Sequence, residues 1–255
     1  MTTLAVAEAG GAGGILGGFR AGARLAATGA TAAVVAVRAG ALPRRGCWER
    51  RRARLLQDGC RAVMRLHGVD LEISGRVPDG PAILVCNHVS WLDPLVVAAA
   101  APCAPISKLD VRGWPLVGPL AGLLGVIFHD RGDHASGVRV LREAEEALGA
   151  GLLVLNFPEG TTTSGDGVLP FRKGLFGLAR RLWLPVVPVA IRYQPADLAW
   201  TGRATFLPHY WRFAARGGSR VTLRFGQPLV PDKASDAVGL AFEARRRVSD
   251  LLEAA

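Results

Sequence analysis

The stretch PAILVCNHVSWLDPLVVAAA, residues 81 to 100, contains the pattern that decides the fold of this chain. Its first six residues form an apolar run with the length and composition of a buried strand. Its last seven, from Pro94, are typical of the first turns of a buried helix. Side chains five positions apart on a helix point about 140° apart. His88 and Asp93, which lie between strand and helix, can therefore meet only if the chain bends there.

An alternation of strands and helices continues along the chain from about residue 69. Strands are predicted at residues 69–74, 82–86, 105–108, 125–129, 152–157, 186–192 and 220–225. Helices are predicted at residues 92–101, 136–148, 175–182 and 235–253, the last with Ser235 as its N-cap. We therefore expect an α/β fold, with a mixed sheet of about seven strands flanked by helices. Ligands of such sheets bind at the carboxyl ends of strands, and His88 follows one of these ends.

The composition limits the classes of partner and cofactor. The 255 residues carry a net charge of +10, and arginine supplies nearly all of the positive charge. Such a surplus indicates an anionic partner, either nucleic acid or an anionic membrane surface. The four cysteines show no CxxC spacing, which predicts reduced thiols in a cytosolic protein. The sequence has no HExxH, zinc-like Cys/His spacing or P-loop, so no metal or nucleotide cofactor is predicted.

The N-terminal region, residues 9 to 42, is rich in glycine and alanine and is interrupted by Arg20, Arg24 and Arg38. Its longest uncharged piece, residues 25 to 37, is shorter than the ~20 residues that span a bilayer. On a helix the three arginines lie within about 40° of one another. This geometry fits a segment that lies in the membrane interface with its arginine side chains reaching toward water. A flexible leader is an equal alternative.

Residues 48 to 67 predict an amphipathic helix with an arginine face. Its apolar stripe consists of Trp48, Leu55, Leu56, Cys60, Val63 and Leu66, and its basic face of Arg50, Arg51, Arg54, Arg61 and Arg65. A solvated helix face is the usual explanation for such charges, but the preceding apolar region favours contact with an anionic membrane. We therefore predict a membrane-associated segment at 1–66, and an enzyme domain at 67–255, on the cytoplasmic face of the membrane.

His88 and Asp93 form a possible acid–base pair. A carboxylate that holds one ring nitrogen protonated leaves the other nitrogen free to accept a proton. The alternative is structural, because Asp-Pro at the start of a helix is typical of an N-cap followed by proline at the first helical position.

Two further predicted strands end in groups suited to an anionic ligand. GVIFHDR, residues 125 to 131, ends in Arg131, which is suited to a phosphate. FPEGT, residues 157 to 161, places Glu159 and the backbone N–H groups of a tight turn after a buried strand. Taken singly, the first segment is explained by an ordinary surface arginine and the second by an ordinary turn. Their convergence with His88 at one edge of the sheet predicts a site for an anionic substrate.

These segments resemble, in order and spacing, the sequence blocks of the glycerolipid acyltransferases, the lysophosphatidate acyltransferase family. The four blocks are NHVSWLD (87–93), GVIFHDR (125–131), FPEGT (157–161) and VVPVAI (186–191). Supporting matches are SKLDVRGWPLVG (107–118), PFRKG (170–174) and FGQPL (225–229), so the likeness runs from about residue 70 to 230. HxxxxD alone is a weak pattern, whereas four ordered blocks are specific. The departures are Asp110, where members often carry Glu, and Arg172, where Lys is common.

The resemblance implies direct acyl transfer from a thioester donor, acyl-CoA or acyl carrier protein, to the hydroxyl of a lysophospholipid. It implies that His88 is the general base and Asp93 its partner. It assigns the acceptor's phosphate and glycerol head to the matching block residues, namely Gly125, Phe128, Arg131, Glu159, Gly160 and Thr161. The apolar run at residues 114 to 127 is explained by core packing, or in part by a wall for an acyl chain.

Two alternatives remain at this point. A lyso-ornithine lipid or another lysolipid as acceptor leaves the chemistry unchanged, because acceptor identity depends on the shape of the pocket. A basic nucleic-acid-binding protein is disfavoured, because the densest arginine cluster follows an apolar region and no nucleic-acid-binding motif is found. The absence of a GxSxG motif argues against a serine acyl-enzyme.

Overall fold

A computed structural model of the chain describes residues 12–44, 46–202 and 205–254. Residues 1–11 of the predicted N-terminal segment and residue 45 lie outside the described residues. Within these ranges the strands are β1 (Val69–Ser74), β2 (Ala82–Cys86), β3 (Cys103–Lys108), β4 (Ile127–His129), β5 (Leu153–Asn156), β6 (Val186–Gln194) and β7 (Ser219–Phe225). The helices are α1 (Ala12–Gly40), α2 (Trp48–Leu66), α3 (Asp93–Ala100), α4 (Val117–Leu123), α5 (His134–Gly149), α6 (Gly174–Leu182), α7 (Phe206–Ala215) and α8 (Ala237–Glu253).

The seven described strands form one mixed sheet in the order β1-β7-β6-β2-β5-β3-β4. Neighbouring strands are parallel except β6 and β7, which are antiparallel. The predicted α/β class and the mixed sheet of seven strands are confirmed. Because β2, β3, β4 and β5 run in the same direction, their carboxyl ends lie at the same edge.

Strand β2 is buried on both faces of the sheet and joins two layers of helices. Ala82, Leu84 and Cys86 pack in the core beneath α2, α3 and α7. Ile83 and Val85 point to the opposite face, in the core beneath α5, α6 and α8. A strand covered on both sides reads as a continuous apolar run, which explains why AILVC shows no polar alternation.

Helices α4 and α7 were not predicted from the sequence. Helix α4 lies inside the apolar run at residues 114 to 127. Because nearly every residue of this run is apolar, the spacing of apolar residues does not reveal a helix there. Helix α7 carries Pro208 in its first turn, where proline is tolerated because the N–H there has no helical partner. The predicted N-cap Ser235 is also wrong. Asp236 caps α8, and its side chain accepts the N–H groups of Val238 and Gly239 at 2.8 Å.

Helix α1 is turned the opposite way from the sequence prediction. Arg20 and Arg24 face the protein, where Arg20 donates to the Ala215 carbonyl and Arg24 to the carbonyls of Ala214 and Arg216. The last carbonyls of a helix lack partners within it and carry its negative dipole end. These two arginines are therefore used at the C-terminus of α7, and the prediction that they reach from the interface toward water is wrong.

The outer face of α1 is apolar. Large exposed side chains there are Ile15, Leu16, Phe19, Val34 and Val37. In the described part of the chain, no helix combines the length and the hydropathy needed to cross a membrane.

Helix α2 is amphipathic as predicted. Leu55 and Cys60 of the predicted stripe are buried, and the five arginines of the basic face are exposed. Two of these arginines also bind the carbonyl ends of neighbouring helices. Arg50 Nε lies 2.9 Å from the Ala150 oxygen after α5, and Arg61 Nε lies 2.8 Å from the Ala99 oxygen near the end of α3.

We predict that Arg24→Met lowers the free energy of unfolding by about 1–2 kcal/mol, because the two carbonyls that it caps lose a charged donor. Arg38→Met is the matched control, since Arg38 lies on the same helix and is exposed. Its stability should stay within about 0.5 kcal/mol of the parent. Denaturant unfolding measures both variants, and equal losses would contradict the assigned role of Arg24.

Candidate active site

The carboxyl ends of β2, β4 and β5 bring the predicted groups to one edge of the sheet. His88 follows β2, Arg131 follows β4, and Gly160 follows β5. All three line one cavity. The convergence expected from the three strand ends is therefore present in the structure.

The chain between β2 and α3 bends so that His88 meets Asp93. The Nδ1 atom of His88 lies 2.7 Å from Asp93 Oδ2. The same oxygen accepts the backbone N–H groups of Val89 at 2.7 Å and Ser90 at 2.9 Å. An ionised carboxylate only accepts hydrogen bonds, so Nδ1 carries the proton and Nε2 is the free nitrogen.

Asp93 does not act as the N-cap of α3. It is the first residue of that helix, and Leu92 occupies the N-cap position without a side-chain cap. The carboxylate turns back to N–H groups that precede the helix rather than to those of its first turn. The capping interpretation of the Asp-Pro pair is therefore wrong.

Tyr193 contacts the other oxygen of Asp93. Its hydroxyl donates to Asp93 Oδ1 at 2.5 Å. Asp93 is 0 % exposed and Tyr193 is 4 % exposed. Burial, followed by the charge of Asp93, holds the pKa of Tyr193 well above its usual value, so the phenol remains a donor. Sequence reasoning missed this residue because it lies 100 positions from Asp93.

Asn87 fixes the bend to the neighbouring strand. Its side-chain amide donates to the Ile191 carbonyl at 3.0 Å and accepts the Ile191 N–H at 2.8 Å. The side chain thus extends the β2–β6 pairing beyond the end of β2. This arrangement holds the residue before His88 while the backbone turns away from the sheet.

The turn after β5 holds the backbone and the ring of His88. The His88 N–H donates to Glu159 Oε1 at 2.7 Å, and its carbonyl accepts the Thr163 N–H at 2.8 Å. The ring of Phe157 stacks on the imidazole with centroids 4.3 Å apart. Thr163 and Phe157 were not singled out in the sequence, because their roles depend on how two distant loops meet.

Glu159 lies behind the cavity rather than in its wall. It is 5 % exposed, and its second oxygen accepts the Leu169 N–H at 2.9 Å. Burial raises the pKa of Glu159, while the amides of Leu169 and His88 act in the opposite direction. Its contacts tie the His88 backbone to the loop that carries Leu169. This position is not the headgroup contact that the resemblance implies.

Arg131 and Arg172 flank the turn at Gly160. Arg131 donates to the Gly160 carbonyl. Gly160 has φ +77°, which favours glycine, and an added Cβ would lie 2.8 Å from Arg172 Nε, so that side chain would have to shift. Desolvation, followed by the charge of Arg172, lowers the pKa of Arg131. Burial and the same two arginines lower the pKa of His129. Two guanidinium groups therefore lie beside Gly160, an arrangement suited to binding an anion.

Gly125 and Phe128 support the site from outside the cavity. Gly125 has φ +88°, and an added Cβ would lie 2.7 Å from Arg52 Nε. Phe128 is buried, and the Arg112 guanidinium lies 5.8 Å from its ring centroid. Among the residues that the structure describes, neither is part of the cavity lining, whereas Arg131, Gly160 and Thr161 are. The predicted acceptor block therefore divides into lining and supporting residues.

The cavity has a volume of about 1220 Å³ and extends from His88 into an apolar region. Helix α1 supplies Leu25, Thr28, Ala32 and Val35, and α2 supplies Leu56 and Val63. The apolar run at residues 114 to 127 supplies Trp114, Pro115, Leu116, Val117, Leu120, Ala121, Leu124 and Val126. Much of this run is therefore cavity wall rather than sheet core. Within residues 12–44, 46–202 and 205–254, no cluster of three or more His, Cys, Asp or Glu side chains is arranged to hold a metal ion.

Comparison with known proteins gives a consistent set of similarities. A family model described as Acyltransferase matches residues 68–192. A lyso-ornithine lipid O-acyltransferase of Brucella abortus is 33 % identical over 227 residues, which cover 82 % of this chain and 84 % of that protein. A 1-acyl-sn-glycerol-3-phosphate acyltransferase of Neisseria meningitidis is 32 % identical, covering 74 % of this chain and 76 % of that protein.

A solved structure has the same architecture. The crystal structure of the 1-acyl-sn-glycerophosphate (LPA) acyltransferase PlsC from Thermotoga maritima superposes with a TM-score of 0.68 and 26 % identity. The superposition covers 87 % of each chain. The similarity therefore includes most of the fold and is not limited to the four sequence blocks.

Proposed function

The chain belongs to the Acyltransferase family, and from this premise we propose that it transfers a fatty acyl group from a thioester to the free hydroxyl of a lysophospholipid. The preferred acceptor is 1-acyl-glycerol-3-phosphate, which gives phosphatidic acid. The observation that carries this proposal is the His88–Asp93 hydrogen bond at the polar end of an apolar cavity, beside two arginines. The cavity thus offers a base, an anion site and room for an acyl chain.

In the proposed reaction His88 is the general base. A hydroxyl is a poor nucleophile until a base removes its proton during attack. His88 Nε2 takes this proton as the acceptor oxygen bonds to the thioester carbonyl carbon. The imidazolium that forms is stabilised by Asp93. Collapse of the tetrahedral intermediate breaks the carbon–sulfur bond, and the thiolate leaves as a thiol with the proton from His88.

The acceptor's phosphate is assigned to Arg131 and Arg172, with Gly160 and Thr161 beside the glycerol head. Guanidinium groups suit phosphate because they donate two parallel hydrogen bonds. The mutual repulsion of the two arginines is relieved by an anion bound between them, which gives the site a preference for a doubly charged group. Glu159, Gly125 and Phe128 are assigned supporting roles, since they hold the backbone on which the lining residues are placed.

A lyso-ornithine lipid is the second candidate acceptor. Two lyso-ornithine lipid O-acyltransferases are 33 % and 35 % identical to this chain, over 82 % and 70 % of its length. The chemistry at His88 is the same for either acceptor, and the difference lies in the headgroup near Arg131 and Arg172. The donor is acyl-CoA or an acyl carrier protein, and the proposed reaction requires no cofactor beyond this thioester.

We further propose that the protein is attached to the cytoplasmic face of the membrane, as a peripheral or monotopic protein. The support is the outer face of α1, where large apolar side chains such as Ile15, Phe19 and Val37 are exposed. Exposed apolar residues also line the cavity, among them Leu25, Leu116, Val117 and Leu207. A cavity rimmed in this way is suited to receive a lysolipid directly from a bilayer.

For the dyad, we predict that His88→Ala lowers kcat by about 10²–10⁴. Asp93→Asn should lower kcat by a similar factor, because the amide lacks the charge that stabilises the imidazolium. It should still fold, since its oxygen can accept the same three N–H groups that Asp93 Oδ2 accepts. Initial rates and thermal unfolding measure these effects.

Asp236→Asn is the matched control for the dyad. The Asp236 side chain caps α8 by accepting hydrogen bonds from two backbone amides. Asparagine caps a helix about as well as aspartate. Activity and melting temperature should both stay near those of the parent. A fully active Asp93→Asn enzyme would show that the dyad is not catalytic.

The acceptor is tested by offering lysophosphatidate and lyso-ornithine lipid, each with acyl-CoA and with acyl carrier protein. We predict faster turnover of lysophosphatidate. Arg131→Met and Arg172→Met should each raise its KM about 10- to 100-fold and leave the donor KM within about twofold. Arg142→Met, on the exposed side of α5, is the control and should change neither KM.

Two outcomes would count against these assignments. Equal effects of Arg131→Met on the acceptor and donor KM would identify a structural arginine. Faster turnover of the lyso-ornithine lipid would show that the assigned acceptor is wrong, while the assignment of acyl transfer would stand.

Membrane attachment is tested with a matched pair of substitutions. Phe19→Glu places a charge on the outer face of α1, whereas Phe242→Glu places one on α8, on the opposite side of the sheet. We predict that Phe19→Glu lowers the affinity for anionic liposomes about tenfold or more, because a buried phenyl contributes about 1.5–3 kcal/mol. Cosedimentation measures binding, and equal effects of the two variants would contradict attachment through α1.

A further inference from the structure

The Asp93 carboxylate is buried within a complete set of hydrogen-bond donors. Among the described residues, Oδ2 accepts from His88 Nδ1 and from the amides of Val89 and Ser90. Oδ1 accepts from the hydroxyl of Tyr193 at 2.5 Å. A buried charge is tolerated only when it is paired and fully hydrogen-bonded, so each donor matters.

Tyr193 differs from the other donors because it comes from a different part of the fold. Val89 and Ser90 belong to the bend itself, as does His88. Tyr193 lies on β6, and Ile191 of the same strand holds the side chain of Asn87. Strand β6 therefore contacts the bend at both of its ends, once before His88 and once at Asp93.

We propose that Tyr193 is a positioning residue for acyl transfer, whose hydroxyl orients the Asp93 carboxylate and limits how strongly it stabilises protonated His88. This inference rests on the proposed function. It assigns a role to a residue outside the four sequence blocks, through a contact that the structure shows directly.

The physical reason is competition for the charge of the carboxylate. A donor on Oδ1 withdraws negative charge from Oδ2, which faces the imidazole. Without this donor the carboxylate becomes a stronger base and favours the protonated imidazole. An imidazole that is already protonated in the free enzyme is unable to act as a base. Besides Asp93, the titratable side chain in contact with His88 in the described chain is Glu159, which accepts the His88 backbone N–H and makes no contact with the Tyr193 hydroxyl. Loss of that hydroxyl therefore acts on His88 through Asp93.

Tyr193→Phe is the direct test, since it removes the hydroxyl and retains the ring. We expect the acidic limb of the kcat/KM profile to move about half a pH unit or more toward higher pH. We also expect kcat to fall roughly tenfold, with the acceptor KM little changed, because the carboxylate is less firmly held. An acidic limb that stays in place overturns the proposal, whatever happens to stability.

Val221→Ala is the control for loss of stability alone. Val221 pairs with Tyr193 across β6 and β7 and is fully buried. The substitution removes packing next to Tyr193 and leaves the hydroxyl in place. It should lower the melting temperature without moving the acidic limb. A shift equal to that of Tyr193→Phe would show that general loosening explains the effect, and would overturn the proposal.

A second measurement uses the opposite perturbation and does not depend on the folding of Tyr193→Phe. The chain has two tyrosines, so incorporation of 3-fluorotyrosine into a Tyr210→Phe background labels Tyr193 alone. Fluorination makes the phenol a stronger donor, and the acidic limb should move to lower pH than in the unlabelled background. No shift, or a shift in the same direction as for Tyr193→Phe, overturns the proposal.

The failure of this inference is distinguishable from failure of the proposed function. If His88→Ala is inactive while Tyr193→Phe keeps the parent pH profile, acyl transfer stands and the role of Tyr193 does not. If His88→Ala retains full activity, the proposed function itself is wrong.

Discussion

The buried carboxylate of Asp93 is the constraint on which the rest of the site depends. A charge that is 0 % exposed must be surrounded by donors, and the bend after β2 supplies three of them by turning two amides and an imidazole toward one oxygen. The bend is possible because Asn87 continues the pairing with β6 while the main chain leaves the sheet. Strand, bend and helix thus form around one ionised group, and the position of the His88 ring follows from its hydrogen bonds.

Arginine has two different uses in this protein. Arg20, Arg24, Arg50 and Arg61 bind carbonyls at the ends of helices, where the helix dipole favours a cation. Arg131 and Arg172 instead stand at the cavity wall, close enough to repel each other. A large net charge is therefore a poor guide to the area of an anion-binding surface, because some of the arginines already bind carbonyl groups of the protein. The arginines available to a ligand are those whose neighbours leave their charge uncompensated.

The sequence predicted those features that depend on local pattern. Buried strands appear as apolar runs and half-exposed strands as an alternation of apolar and polar residues, so all seven strands were found. The shared edge at the carboxyl ends of β2, β4 and β5 was found with them. The meeting of His88 and Asp93 followed from their spacing across a bend. Features that depend on distant partners were missed or misassigned. Tyr193 belongs to another strand, and Glu159 points inward because the amides of His88 and Leu169 lie there. The orientation of α1 was reversed because the carbonyls of α7, which attract its arginines, leave no trace in the α1 sequence.

Helix α1 forms part of the cavity wall through Leu25, Thr28, Ala32 and Val35, while its other face is exposed and apolar. One helix thus separates two apolar environments. If its outer face rests in lipid, and if α1 packs more firmly over the cavity in that position, the two contacts are thermodynamically linked. A bilayer that favours the docked position of α1 completes the cavity, and by reciprocity a chain bound in the cavity strengthens attachment by the same factor. The protein would then hold most firmly to the membrane while it is loaded with substrate, and release of product would loosen it.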